Sequence, residues 1–349
     1  MKLKIISFFL LFSIATASAQ KAYLIHDFMK GYTLYFIQQK AGSQIKEYYK
    51  LTEDKSTKMV LEFGAKELAK PQTIKTAKEV TFKSLSDKNI QILGDVNFDG
   101  KPDIIIHETQ INDDDGCYYP RASSHIFINT ENTFTISQSI SDVYNDANCM
   151  RGGSFDIDAK NKRIITSSTC GAACHGCEHY SVSGKEAKMI SSFDEDGFAQ
   201  GPFSKITGKK LENNKWVSFN SLSIYEPNLD PDKILAFDTK NGKGRILLFK
   251  IDTILYYAFQ QNDEYKFISF AHPSSPEKAN KAIFKFRKQN AGYELEFNSG
   301  SIKYLVYETA NGLGIKINVN GKISDWQGMT KTGSLEALVK NKFSNVIKE

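Results

Sequence analysis

The feature that most constrains this chain is the alternation of apolar and polar residues in short runs. In residues 293–297 and 315–319, every second side chain is apolar. A period of two is typical of half-buried antiparallel strands, because successive side chains point to opposite faces of a sheet. Asn320-Gly321 separates two such runs and predicts a tight hairpin. The pattern therefore predicts an all-β fold.

Similar runs recur along most of the chain and predict further strands, whereas the best helical segment is short, at residues 334–339 with Ser334 as N-cap. No long amphipathic helix is predicted. The predicted strands fall at residues 32–37, 58–63, 79–82, 90–93, 104–106, 124–128, 133–136, 163–166, 245–251, 253–259, 265–270, 282–286 and 302–307.

The first 19 residues follow the three-part pattern of a signal peptide. Lys2 and Lys4 precede an apolar run at residues 5–14, and Ala-Ser-Ala follows at 17–19. The run is shorter than the roughly 20 residues that a membrane span needs, and no other segment of the sequence predicts a span. We therefore expect an exported protein, periplasmic or secreted.

About 330 residues remain after this leader, which is more than one ordinary core accommodates. A polar, turn-prone stretch at residues 208–215 suggests a boundary. We expect a propeller-like β domain over residues 20–215 and an antiparallel β barrel or meander domain over residues 216–349. The formal net charge of +5 falls to +3 without the two leader lysines, and this weak balance argues against nucleic acid as a partner.

An acidic loop at residues 95–103 carries the clearest chemical signal. Oxygen-bearing side chains alternate at loop positions one, three and five, Gly follows at six, and Asp stands at nine. Calcium takes six to eight oxygen ligands, and such a curled loop brings short side chains to one point. The expected ligands are Asp95, Asn97, Asp99, the backbone carbonyl of Lys101, and Asp103 directly or through water.

The loop departs from a helical EF-hand. Position twelve is Ile106 rather than a bidentate glutamate, and both flanks are strand-like. A further ligand must come from elsewhere, with Glu108 or residues 113–115 as candidates. The expected affinity lies in the weak extracellular range of roughly 10⁻⁴ to 10⁻³ M.

Residues 92–104 resemble the signature of a bacterial periplasmic family of calcium-binding β-propellers that includes a lysozyme inhibitor, the immunity partner of a type IV secretion effector. The strand, acidic loop and strand are also similar to FG-GAP and integrin-type calcium loops. Residues 155–165, a cysteine-rich turn and residues 180–182 are similar in order to later blades. The resemblance implies calcium ligation by Asp95, Asn97, Asp99 and Asp103, and a muramidase as protein partner.

All five cysteines lie beyond the leader, where an oxidising compartment favours disulfide bonds. Cys117 and Cys149 could pair with each other, and a second bond would staple the turn formed by residues 170–179. Two alternatives remain for that turn: zinc bound by three thiolates with His175 or His179, and a redox pair Cys174-x-x-Cys177. Glu178 excludes covalent haem attachment, which needs His at that position. The cysteines are Cys117, Cys149, Cys170, Cys174 and Cys177.

Signatures of catalysis are missing from the sequence. It contains no Gly-x-Ser-x-Gly, no His-Glu-x-x-His and no phosphate-binding glycine loop. We therefore expect a binding protein rather than an enzyme, with an inhibitor of a cell-wall hydrolase as the first hypothesis. Tyr118 and Tyr119 beside Arg121 are candidate anchors for that interface. The alternatives are a secreted hydrolase with calcium as a scaffold, and a surface adhesion or structural module.

Overall fold

The structure is a computed structural model that describes residues 19–42, 44–70, 73, 75–85, 89–112, 117–118, 121–130, 133–197, 201–224, 234–262 and 265–349. The predicted signal peptide lies outside these residues except for Ala19. The chain divides into two compact units. Unit 1 contains residues 1–166 and 179–189, and unit 2 contains residues 167–178 and 190–349.

Strands dominate both units. They are β1 (Ala19–Met29), β2 (Tyr32–Ala41), β3 (Gln44–Glu53), β4 (Met59–Gly64), β5 (Lys78–Glu79), β6 (Ile90–Gly94), β7 (Asp103–Asn112), β8 (Arg121–Thr130), β9 (Thr133–Ser137), β10 (Ser154–Asp158), β11 (Arg163–Gly171), β12 (Cys174–Ser183), β13 (Glu186–Asp196), β14 (Phe203–Glu212), β15 (Lys215–Ile224), β16 (Leu235–Thr239), β17 (Gly244–Ile251), β18 (Ile254–Gln261), β19 (Ile268–His272), β20 (Phe284–Gln289), β21 (Gly292–Ser299), β22 (Ile302–Thr309), β23 (Gly312–Val319), β24 (Lys322–Gly333) and β25 (Val346–Lys348).

The α-helices of the described residues are α1 (Gln138–Cys149) and α2 (Ala337–Lys340). Short 3-10 turns occur at Lys66–Leu68, Phe82–Ser84 and Pro276–Lys281. Among the described residues, no helix has the length and apolar character needed to cross a bilayer. The prediction of an all-β fold is confirmed.

Unit 1 contains two meanders of the size of propeller blades. One sheet has the order β4-β3-β2-β1-β5, and the other has the order β6-β7-β8-β9. Strands that are neighbours in sequence pair antiparallel, while β5 pairs parallel to β1. A shared apolar core lies against both sheets and includes Leu34, Leu51, Ile104 and Phe127. Burial of alternate residues explains why the period-two pattern predicted these strands.

Helix α1 contradicts the expectation that no substantial helix is present. Ser137 caps its first turn by accepting a hydrogen bond from the backbone N–H of Ile140 at 3.2 Å. Ile140 and Val143 are buried in a second core of unit 1. The helix therefore owes its stability to packing rather than to its composition, which is rich in Ser, Asp and Asn.

Unit 2 is built on a long sheet whose order from β13 onward is β13-β14-β15-β19-β18-β17-β16-β24-β23-β22-β21-β20-β25. Its main core includes Phe237, Leu248, Phe284 and Phe297. The β16–β24 pairing joins Leu235 to Gly333, about 100 residues further along the chain. Strand β25 adds to the edge of the sheet, parallel to β20.

Three sequence-based boundaries differ from the structure. Residues 79–82 form the end of the two-residue strand β5 and the start of a 3-10 turn rather than one strand. The helix expected at residues 334–339 is α2, displaced by a few residues. The domain boundary expected between residues 215 and 216 falls at the start of β15, which pairs with β14 in one hairpin, and both strands belong to unit 2.

Candidate metal centre

The acidic loop connects β6 to β7 in unit 1. Ile92 pairs with Ile104, the register shifts, and Gly94 pairs with Asp103. The loop is therefore flanked by strands, as its sequence predicts. Phe98 and Gly100 have positive φ angles of 63° and 88°. Gly100 adopts this left-handed conformation at little cost, which explains glycine at position six.

Asp95 closes the loop from its first position. Its Oδ1 accepts a hydrogen bond from the N–H of Asp99 at 3.0 Å, and its Oδ2 accepts one from the N–H of Gly100 at 2.9 Å. These bonds to residues four and five positions ahead curl the chain around the Asp95 carboxylate.

Asn97 and Asp99 lie inside the same curl. The N–H of Asp99 donates to Asn97 Oδ1 at 3.3 Å, and the N–H of Lys101 donates to Asp99 Oδ1 at 2.9 Å. Asn97 Nδ2 donates to Asp99 Oδ2 at 3.1 Å. The structure thus brings together the three side chains that the sequence placed at positions one, three and five.

Asp103 has a different position, at the buried start of β7. Its side chain is fully buried, and its two oxygens accept hydrogen bonds from the N–H groups of Val96 and Asn129, each at 2.8 Å. Burial raises the pKa of Asp103 to about 6, and the nearby charges of Asp99 and Asp95 add to that rise, although the two N–H bonds oppose it. Asp103 therefore ties the loop to β8.

The donor set suits a hard cation. A carboxylate has about four lone-pair sites, so the backbone bonds to Asp95 and Asp99 leave acceptor capacity on both. Asn129 Nδ2 donates to the Pro102 carbonyl at 3.5 Å, and Asn129 Oδ1 is buried without a hydrogen-bond partner among the described residues. Oxygen ligands of this kind are those that Ca²⁺ prefers.

The carboxylates of Asp95, Asp99 and Asp103 do not converge into one cluster. Within the described ranges, no group of three or more His, Cys, Asp or Glu side chains is arranged to hold a metal ion. Glu108, expected as a further ligand, instead contacts His125. Its Oε1 lies 2.8 Å from Nε2 of His125. Residues 113–115, the other expected source, lie outside the described residues.

Two disulfide bonds confirm the prediction for the cysteines. Cys117 pairs with Cys149 across 4.6 Å between Cα atoms, and Cys170 pairs with Cys174 across 5.1 Å. Cys177 belongs to neither bond. The second disulfide uses two thiols that the zinc alternative requires and one that the redox pair Cys174-x-x-Cys177 requires, so both alternatives are wrong for this structure.

The candidate interface residues are only partly described. Tyr118 is 54% exposed, and the guanidinium of Arg151 lies over its ring, 5.6 Å from the centroid. Its backbone N–H donates to the carbonyl of Cys149 at 3.0 Å. Tyr119 lies outside the described residues, and so does the side chain of Arg121. Arg151 was not singled out by sequence, because it approaches Tyr118 only through the disulfide.

No family model matches the sequence, and the search of curated proteins found no match. Several solved structures show weak similarity, and three of them illustrate it. A Xanthomonas type IV secretion system related protein is 16% identical, with 55% of this chain and 82% of that chain covered and a TM-score of 0.31. The β-propeller domain of the Trilobed protease from Pyrococcus furiosus is 10% identical, with 87% and 97% covered and a TM-score of 0.24. TolB from Acinetobacter baumannii is 10% identical, with 87% and 81% covered and a TM-score of 0.16. These scores establish no function.

Proposed function

We propose that this chain is an exported, non-catalytic envelope protein that binds one Ca²⁺ in the acidic loop and recognises a protein partner, with a cell-wall hydrolase of the muramidase type as the first candidate. The observation that carries the metal proposal is the convergence of Asp95, Asn97 and Asp99 within one hydrogen-bonded curl. The carbonyl of Lys101, and Asp103 directly or through water, would complete the proposed set.

Calcium in this loop would have a structural role. It would neutralise the carboxylates that the curl crowds together, since like charges held close destabilise the fold. Asp103 links the N–H of Val96 in the loop to that of Asn129 in β8, so order in the loop extends to the sheet. The expected effect is a stiffer loop and a stiffer β7–β8 pairing.

Two observations support export and recognition. Disulfide bonds are typical of oxidising compartments outside the cytoplasm. The Cys117–Cys149 bond also fixes the exposed Tyr118 next to Arg151. Tyr and Arg, together with Trp, are enriched at the energetic centres of protein interfaces, which supports this pair as an anchor.

Thermal unfolding tests the calcium site. A ligand that binds only the folded state at 100 times its Kd stabilises the fold by about 2.7 kcal/mol. Calcium should therefore raise the Tm of the chelator-treated protein by several degrees, and Asp95→Asn or Asp99→Asn should abolish that rise. Asp146→Asn, which removes an exposed carboxylate from α1, is the matched control. A Tm that calcium leaves unchanged in the wild type would reject the site.

Inhibition of muramidases tests the partner. The protein should slow lysis of purified peptidoglycan by a muramidase at micromolar concentration. Tyr118→Ala should weaken that inhibition by roughly tenfold or more, as expected for an interface anchor. Trp216→Ala, which removes an exposed aromatic ring from unit 2, should not. Peptidoglycan lysis that proceeds at the same rate with and without the protein would exclude the muramidase as partner.

A further inference from the structure

Unit 2 contains a cavity of about 440 Å³ that is independent of the acidic loop and of the proposed partner surface. Its lining comes from β13, β14 and β15, from Gln261 on β18 and Ser269 on β19, and from Tyr265 and Phe267. Its size falls within the range typical of small-molecule sites. Its lining residues include Ser191, Lys210, Phe219, Gln261, Tyr265 and Phe267.

Aromatic rings form one wall of this cavity. Tyr265 stacks on Phe267 with 5.1 Å between centroids and 13° between planes, and Phe219 lies 5.9 Å from Phe267. Phe193 contacts Tyr265 and Phe267 edge-on, at 5.4 and 5.2 Å. The wall is thus a rigid cluster of rings rather than a loose apolar patch.

A glycine makes room for the rings. In the sheet register, Gly208 lies between Phe193 on β13 and Phe219 on β15. A Cβ at Gly208 would come within 2.6 Å of Phe193 Cβ and 2.7 Å of Phe219 Cζ. The position therefore accepts no other residue without displacing the aromatic wall.

Neutral polar groups surround the wall. Ser191 is 2% exposed, and its Oγ lies 2.7 Å from the hydroxyl of Tyr265. Gln261 lines the cavity and is exposed, so its amide is accessible to a ligand. The lining cation is Lys210, whose Nζ already lies 2.8 Å from Glu212.

We propose that this cavity binds a neutral sugar, one or two rings in size. The C–H face of a sugar ring packs on aromatic rings, and its hydroxyls exchange hydrogen bonds with amides and hydroxyls. An acyl chain would form no hydrogen bond with the Gln261 amide. An acidic ligand would have to compete with Glu212 for Lys210.

Calorimetric titration with a panel of neutral mono- and disaccharides of glucose, mannose and N-acetylglucosamine tests this proposal. At least one should bind to the full chain with a saturable isotherm. Phe219→Ala should weaken its binding roughly tenfold, the size of one aromatic contact. Ser269→Trp places a large ring at an exposed lining position and should abolish binding without disturbing the core.

Trp216→Ala is the matched control, because it removes an exposed ring from the same strand, β15, at a position that does not line the cavity. The affinity of this variant for the sugar should stay within about twofold of the wild-type value, a smaller change than the loss of one aromatic contact causes. Binding that persists in Ser269→Trp would overturn the location, and a panel with no binder would overturn the sugar. The sugar proposal would also be overturned if no sugar bound and a fatty acid bound saturably in a manner that Ser269→Trp blocks.

Discussion

His272 in unit 2 is a basic side chain enclosed by aromatic rings. Its ring stacks on Phe297 at 4.8 Å and meets Phe284 edge-on at 5.4 Å. Its Nε2 is buried and has no hydrogen-bond partner among the described residues. Burial lowers the pKa of His272 from 6.5 to about 4, because the enclosed site disfavours the imidazolium form.

This shift predicts a pH-dependent stability. The unfolded state takes up a proton near pH 6.5 and the folded state only near pH 4, so stability is lost as the pH falls between these values. The loss amounts to at most roughly 3 kcal/mol. His272→Phe keeps the ring and removes the titrating group. Urea unfolding at pH 7 and pH 4.5 should show a smaller drop in this variant, and an equal drop would contradict the prediction.

Two glycines of unit 1 have similar backbone conformations but differ in the space available for a side chain. Gly64 (φ 94°) and Gly31 (φ 85°) are both left-handed. A Cβ at Gly64 would lie 2.2 Å from the carbonyl oxygen of Glu47, which accepts the N–H of Ala65, whereas a Cβ at Gly31 meets nothing within 4 Å.

Gly31→Ala should therefore cost the free energy of unfolding about 1–2 kcal/mol, the usual cost of a left-handed alanine. Gly64→Ala should cost at least about 2 kcal/mol more, since the β3–β4 pairing must also shift. Urea midpoints of the two variants measure the difference. Equal losses of unfolding free energy in the two variants would contradict this prediction, because they would show that the β3–β4 pairing accommodates a Cβ at Gly64.

At the scale of elements, the two disulfides should contribute different amounts to the free energy of unfolding. Cys117 and Cys149 lie 32 residues apart, and Cys170 and Cys174 lie four apart. A disulfide stabilises mainly by restricting the unfolded chain, and the effect grows with the enclosed loop. Paired Cys→Ala replacement should cost about 4 kcal/mol for the first bond and about 2 kcal/mol for the second. Chemical unfolding would measure both, and a larger loss from the second pair would contradict the chain-entropy argument.

Strands were predictable because burial of one sheet face requires an apolar residue at every second position. Helix α1 was not predicted, since its composition disfavours helices. A signal is nevertheless present. Ser137 precedes apolar residues at 140, 143 and 147, which is the spacing of one helical face. The helix forms because that face reaches a buried core, which local propensity does not report.

The acidic loop was predictable because its side-chain hydrogen bonds join residues only two to five positions apart. The role of Asp103 was not, since its partner Asn129 belongs to another strand, 26 residues away. The cavity of unit 2 was also not predictable. Ser191 and Tyr265 lie 74 residues apart and meet only through the folded sheet.

At the scale of the whole molecule, calcium should act locally. Hydrogen exchange should slow on calcium addition at the amides of Asp99, Gly100 and Asn129, whose N–H groups bond to the loop carboxylates. The amides of β21 and β22, which lie in the core sheet of unit 2, should exchange at an unchanged rate. Mass spectrometry of peptic fragments would resolve the two sets. Slower exchange in β21 and β22 alone would contradict the assignment of the ion to the acidic loop.

The pairing of β16 with β24 has a kinetic consequence. The hairpins between these strands bring together neighbours in sequence, so they close at small entropic cost, whereas Leu235 and Gly333 must meet across about 100 residues. We expect that step to come last and to set the refolding rate. Until it occurs, both strands present unpaired edges that recruit other chains, so refolding yield should fall as protein concentration rises.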